Sequence, residues 1–148
     1  GGKLTTYRKL AESAMQQLKA FFPEMQESWT ATEALPGGEN MESVEQLMRE
    51  IRAQVTDASE DLVKRWASAY GSRIWNILGE KSSVEQLGQH FGQGLYAREV
   101  DYLCTAEWVT TSQDVLWRRS KLGLSFTQKE SEALDAYLIV KTHSNEAA

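Results

Sequence analysis

Apolar residues return every three or four positions along most of this chain, and that spacing admits a helical fold and little else. Tyr7, Leu10, Ala11, Ala14, Met15, Leu18, Phe21 and Phe22 form the first stripe. Arg8, Lys9, Glu12, Ser13, Gln16, Gln17 and Lys19 fill the other face. Thr5 or Thr6 is placed to cap the start of this helix, and Pro23 ends it. Val44, Leu47, Met48, Ile51 and Val55 predict a second helix, opened by Ser43 with Gln46 three residues on. A third carries Leu62, Trp66, Ala69 and Tyr70, with Asp57 and Glu60 as its capping box and Gly71 as a left-handed stop. Residues 72–78 predict a short helix ended by Gly79, and residues 83–90 one further turn or two. Leu95, Val100, Leu103 and Cys104 share a face of the segment 95–107. Ser112 starts the next helix, which runs through Val115, Leu116 and Arg119 to Gly123. Thr127 with Glu130 caps the last one, whose inward residues are Ala133, Leu134, Tyr137 and Leu138. No segment alternates with period two, and no Asn-Gly or Asp-Gly hairpin signal occurs. The expectation is an all-α fold, an orthogonal bundle of six to eight helices.

At 148 residues the chain is long enough to bury roughly 70% of the surface its unfolded form exposes, so it needs no metal or disulfide staple. One cysteine, Cys104, excludes a disulfide framework, and with only His90 and His143 beside it a transition-metal site is a poor fit. No run of 18 apolar residues and no signal-peptide pattern is present, which predicts a cytoplasmic, soluble chain. Residues 23–42 show no period and contain Pro36-Gly37-Gly38, the signature of a long surface loop. Charge is unevenly spread. Residues 24–61 hold ten carboxylates against Arg49 and Arg52, a net −8 within a total of −5, which leaves +3 for the rest. Such a stretch repels phosphate backbones and anionic lipid, so neither nucleic acid nor a membrane surface is an expected partner of this domain.

Chemistry-bearing motifs are sparse. Neither Gly-x-Gly-x-x-Gly nor Gly-x-x-x-x-Gly-Lys-[Ser/Thr] occurs, and the cluster Gly88, Gly92 and Gly94 suits a chain turn around Phe91 better than a phosphate cradle. Cys104 reads as a small core residue, and His143 lies in a polar tail expected to fray. Trp66, Trp75, Trp108 and Trp117 fall in or beside helices, where indoles most often fill core. Trp29 lies in the acidic loop, where it either pins the loop or meets a partner; pinning is the favoured reading. The most unusual polar set is Glu107, Asp114, Arg118 and Arg119. Arg119 follows the face of Val115 and Leu116 and so predicts an inward guanidinium with Glu107 as its partner, a structural ion pair. The competing reading is an anion site on both arginines and Lys121.

The string Asp114-Val-Leu-Trp-Arg118-Arg119-Ser-Lys-Leu-Gly123-Leu resembles the hallmark of the C-terminal helical domain of FAD-dependent (aerobic) glycerol-3-phosphate dehydrogenases. Four further sets agree in order: Thr32-Glu-Ala-Leu-Pro36-Gly37-Gly38, Arg65-Trp-Ala-Ser-Ala-Tyr70-Gly71-Ser72, Leu87-Gly88-x-x-Phe91-Gly92, and Tyr96-x-x-Glu99-Val100-x-Tyr102-Leu103 ahead of Glu107-Trp108. The resemblance spans residues 1–140. It implies that residues 1–8, Gly1-Gly2-Lys3-Leu4-Thr5-Thr6-Tyr7-Arg8, are the last segment of a flavin-binding domain, a turn lying against the isoalloxazine ring. Residues 9–42 are then a helix and linker loop, 43–142 a helical cap domain and 143–148 a frayed tail. By the same resemblance Gly2, Lys3, Leu4 and Thr5 face FAD, and Lys3 also lies near the substrate. The parent would oxidise sn-glycerol 3-phosphate to dihydroxyacetone phosphate, with FAD as hydride acceptor and quinone as the final one. Its partner for this chain would be its own flavin-binding domain, and a peripheral place on the cytoplasmic membrane face stays open for the parent. The chain by itself would hold no flavin and have no activity, since the hard chemistry belongs to the cofactor. The alternative is a standalone helical interaction module that grips a basic partner through the acidic loop and Trp29.

Overall fold

The computed structural model describes residues 3–146, with side chains as far as Lys141, in two compact units, Gly1–Leu35 and Pro36–Ala148. Gly2 lies outside the described residues. The first unit is a 3-10 turn, Leu4–Thr6, that runs into helix α1, Tyr7–Leu18, and a closing 3-10 turn, Lys19–Phe21. Neither threonine caps α1. Thr6 occupies the cap position with φ −111° and ψ 6°, not the extended backbone from which a hydroxyl reaches the first-turn amides, and its Oγ1 donates to the Lys3 carbonyl at 3.0 Å instead. The helix buries none of its residues.

Residues 25–30 return along one flank of α1. Glu12 holds them: its carboxylate accepts from Thr30 Oγ1 at 2.5 Å and from Arg8 and Lys9 at 2.6 and 3.0 Å. Hydrogen bonds from Thr30, Lys9 and Ser28, with the Arg8 charge adding to them, lower its carboxyl from 4.5 to about 2. A lowered folded-state pKa stabilises above the unfolded value and loses that contribution as pH falls through the folded one. The returning segment is therefore expected to leave α1 between pH 4.5 and about 2. A variant keeping Trp29 as its only tryptophan would show this as an emission shift in that window; emission flat down to pH 2 would contradict it. Trp29 itself stays 58% exposed, so the glutamate pins this segment and the indole does not.

In the second unit, α2 (Val44–Gln54) opens as anticipated, with the Ser43 side chain accepting from Gln46 N. Helix α3, Glu60–Tyr70, is capped by Ser59 and not by an Asp57–Glu60 box. Asp57 is spent elsewhere, accepting from Val84 N at 3.0 and 3.2 Å, which fastens the 3-10 turn Val84–Leu87 to the entry of α3. On α3 the inward residues include Val63 and Ala67, while Ala69 faces out. Gly71 ends the helix with φ 53°, and α4 follows at Ile74–Leu78, closed by Gly79.

A two-stranded antiparallel hairpin then interrupts the helices, β1 His90–Gly92 against β2 Leu95–Tyr96. It carries no period-two signal because its strands are three and two residues long. Its two-residue turn, Gln93-Gly94 with φ 49° and 71°, reaches the doubly left-handed form without asparagine or aspartate. Gly94 serves this turn, Gly88 closes the 3-10 turn Val84–Leu87 ahead of it, and Phe91 is buried. Helix α5 spans Ala97–Ala106, a π-helical segment Asp114–Arg119, and α6 Gln128–Glu146, so the last backbone helix continues past Thr142. The cap of α6 is the anticipated one: Glu130 N donates to Thr127 Oγ1, and Thr127 N to Glu130 Oε2. Ile51, Val63, Trp66, Ile74, Leu103 and Leu134 are among the fully buried core residues. The fold class is all-α, as the periodicity requires. Two of the four helical tryptophans are not core: Trp117 is exposed, and Trp108 is 88% exposed in a left-handed backbone position, φ 58°, just after α5.

Candidate functional site

The most heavily built polar feature is a carboxylate that the periodicity had not singled out. Glu99 is on the first turn of α5, one turn before Leu103, so its helical phase points it into the core. Only 1% of it is exposed. Helix α3 supplies the donors. Arg65 grips both oxygens, Nη1 to Oε1 at 2.5 Å and Nη2 to Oε2 at 2.8 Å. Trp66 Nε1 donates to Oε2 at 3.2 Å and the Tyr70 hydroxyl to Oε1 at 2.6 Å. Arg65 Nη2 also donates to the Gly94 carbonyl at 2.8 Å, so one guanidinium ties α3 to α5 and to the hairpin turn. Burial and the adjacent Glu99 charge both push the Tyr70 hydroxyl far above the usual phenol range. Burial alone would lower Arg65, but its hydrogen bond and charge contact with Glu99 outweigh that and hold it protonated. Four donors saturate the carboxylate, which leaves no lone pair aimed at a substrate. This is a clamp, not a general base.

Beside the clamp lies a surface cleft of about 420 Å³, with Asp61, Arg65, His90, Gly94 and Tyr96 in its walls. Its imidazole is committed: the His90 ring lies on Tyr96 with centroids 4.8 Å apart, and its Nε2 accepts from Gly94 N at 3.1 Å. The serine in the same cleft, Ser59, is spent on the cap of α3, where its side chain accepts from Leu62 N. Cys104 is half-buried on α5, where burial raises its thiol, so it is not an activated thiolate.

Arg119 meets the carboxylate expected of it, Glu107, but at the surface and not in the core. Arg119 does not turn inward. Its Nε stands 3.7 Å from Glu107 Oε2 and its Nη2 donates to the Glu107 carbonyl at 2.6 Å, with the side chain 38% exposed. Arg118 meets Asp114 at 2.6 Å and is 63% exposed. The π-helical turn explains the change of face. Ser120 N reaches back to Val115 O and Lys121 N to Leu116 O, five residues each, so the α-helical period that placed Arg119 with Val115 no longer holds. Asp114 is fastened chiefly by the Thr111 hydroxyl, then by the backbone N–H groups of Thr110 and Thr111, and these hold its carboxyl below the usual carboxylate range. Exposed pairs contribute little. Arg118→Ala and Arg119→Ala are each expected to leave the unfolding free energy within about 0.5 kcal/mol of wild type in urea melts. A loss of several kcal/mol from either would restore the buried-pair reading.

Of the residues the resemblance puts near a flavin, Lys3, Leu4 and Thr5 are all exposed. Lys3 is extended, φ −70° and ψ 149°, and opens directly into the 3-10 turn ahead of α1. The first amides of such a turn have no partner within it.

Comparison with known proteins agrees with the motifs. Residues 28–143 match the family described as the C-terminal domain of alpha-glycerophosphate oxidase. The chain is 55% identical over 139 residues to a glycerol-3-phosphate dehydrogenase of Pseudomonas tolaasii, covering 93% of this chain and 27% of that protein. It is 35% identical over 142 residues to the aerobic glycerol-3-phosphate dehydrogenase of Escherichia coli K12, covering 96% and 28%. A D-erythritol 1-phosphate dehydrogenase of Brucella abortus is 38% identical over 134 residues, covering 90% and 27%. The chain thus spans about a quarter of the length of the curated relatives it matches.

Proposed function

Because the chain belongs to the family of C-terminal domains of alpha-glycerophosphate oxidase, we propose that it is the helical cap of a flavoprotein glycerol-3-phosphate dehydrogenase. In this reading the whole protein oxidises sn-glycerol 3-phosphate to dihydroxyacetone phosphate, and FAD, when bound, takes the hydride and passes electrons to a membrane quinone. The relatives' known activity as glycerol-3-phosphate dehydrogenases supports the reaction class, and the exposed Lys3–Thr6 entry to α1 carries the reading at the level of residues. The amides of Leu4 and Thr5, without a partner inside that turn, would suit a flavin edge that gains negative charge. The Lys3 ammonium would attract the phosphate or hydroxyl end of the substrate as a point charge. Residues 1–8 would close the flavin domain, and residues 43–142 would pack on it and wall one side of the substrate entrance. The Glu99 clamp fits a scaffold of this kind: it joins α3, α5 and the hairpin, its carboxylate has no lone pair left over for chemistry, and the one unpaired group, Arg65 Nε, is buried away from solvent.

The chain alone is then catalytically silent and free of flavin, and the intact protein works at the cytoplasmic side of the membrane. Among the described residues no helix is long and apolar enough to cross a membrane. Purifying the chain, recording its visible spectrum and assaying glycerol 3-phosphate oxidation tests the first part; a flavin band or turnover above buffer overturns it. Assaying the intact polypeptide against both glycerol 3-phosphate and D-erythritol 1-phosphate tests the second. Oxidation of the erythritol ester alone would overturn the substrate assignment.

A further inference from the structure

The hairpin turn is closed by a side chain as well as by its backbone. Gly94 N donates to His90 Nε2 at 3.1 Å, across strands only three and two residues long. So short a ladder has little else to hold its turn. To accept that bond Nε2 must keep its lone pair, which puts the ring's one proton on Nδ1. A second proton converts the acceptor into a donor and sets two N–H groups against each other. The ring is exposed, so solvent can deliver that proton. We propose that His90 is a pH-sensitive latch: its neutral ring holds the Gln93-Gly94 turn shut, and its protonation opens that turn.

The charged groups around the ring give the protonated form somewhere to go. Asp57, ahead of α3, is taken by Val84 N, and Arg65 on α3 is neutralised by Glu99. Asp61 on α3 shares the cleft with His90, and Tyr96 on β2 lies against the ring. From α6 comes Glu130, whose carboxylate stands so close to Gly92 that a Cβ there would collide with it. Its carboxyl is lowered chiefly by the Thr127 amide and hydroxyl, and His90 adds to that. The neutral ring therefore has its partner in Gly94 and the imidazolium has its partner in Glu130, two discrete positions with a proton to choose between them. Histidine ordinarily changes charge between about pH 5 and 8, which sets the range of the switch. Arg65 keeps both bonds to Glu99 throughout, so the clamp stays closed while the turn and the cleft wall beside it move.

The test is hydrogen–deuterium exchange of the intact polypeptide, read over residues 89–97 in steps from about pH 8 to 5. His90→Gln is measured alongside, so that the intrinsic effect of pH on exchange cancels. The ratio of wild-type to variant exchange should rise several-fold as the pH falls. Glu130→Gln keeps a residue that can complete the α6 cap but removes its charge, and should move the transition to lower pH. A ratio that is the same at every pH overturns the latch. An equal rise in α2 overturns it too, because that is acid unfolding of the whole unit. A transition left in place by Glu130→Gln removes the second position and with it the switch.

Discussion

Arg65→Ala should lower the unfolding free energy by about 3–5 kcal/mol, because it leaves the Glu99 carboxylate charged and buried with only Tyr70 and Trp66 to hold it. That is a large share of the 5–15 kcal/mol or so that a domain of this size typically has in total. Truncation also frees the Gly94 carbonyl and so unfastens the hairpin from α3. Urea melts should show the midpoint falling with the slope unchanged. Replacing Arg65 and Glu99 together with apolar residues of similar volume should recover much of the loss, since the cost lies in the unpaired charge and not in the missing pair. A single Arg65→Ala loss below about 1 kcal/mol would mean that water reaches Glu99 and that the clamp is not what organises this unit.

The second large effect is expected at Gly71. Its φ of 53° suits glycine, and a Cβ there would fall on the Gly37 carbonyl oxygen, far inside contact distance. The approach is mutual: a Cβ on Gly37 would meet the Tyr70 carbonyl oxygen at 2.6 Å, and Ser72 N donates to Gly37 O at 2.8 Å. Gly71→Ala should therefore cost about 3 kcal/mol or more, combining left-handed strain with the separation of two backbone segments. Gly79 supplies the control. Its φ is 54°, almost the same, but the nearest atom to its would-be Cβ is Arg98 Nη2 at 3.7 Å. Gly79→Ala should cost only the conformational part, about 1–3 kcal/mol, and less than Gly71→Ala. Equal losses at the two positions would show that the crossing of Gly37 over Gly71 carries no free energy.

That crossing shows how local and non-local information divide. Pro36-Gly37-Gly38 marked a loop and Gly71 a helix stop, and each reading is correct where it applies. Neither says that the two glycines meet. The cap of α6 was legible because the Thr127–Glu130 exchange takes place within four residues. The cap of α3 departs from its local pattern for the opposite reason: Asp57 is drawn away by Val84, a residue 27 positions on. The buried ion pair is split between two separate motifs, Arg65 in one and Glu99 in another, whereas the adjacent Arg118 and Arg119 stand out locally although their pairs are exposed. The available signal was a carboxylate at Glu99 in phase with Leu103. A buried charge out of the usual pattern predicts a partner, and α3 carries Arg65 beside the inward Trp66.

By itself the sequence determined which segments are helical, where most of them start and stop, and which family the chain belongs to. Those properties depend on periodicity, capping and motif order, all of which act within a few residues or along the chain. Only the tertiary structure decided which charges are buried, that a π-helical turn swings Arg119 out to the surface, and that Trp108 is left in solvent. Desolvation is the reason. Whether a charged or aromatic side chain loses its water depends on what folds over it from distant parts of the chain, and no local pattern carries that.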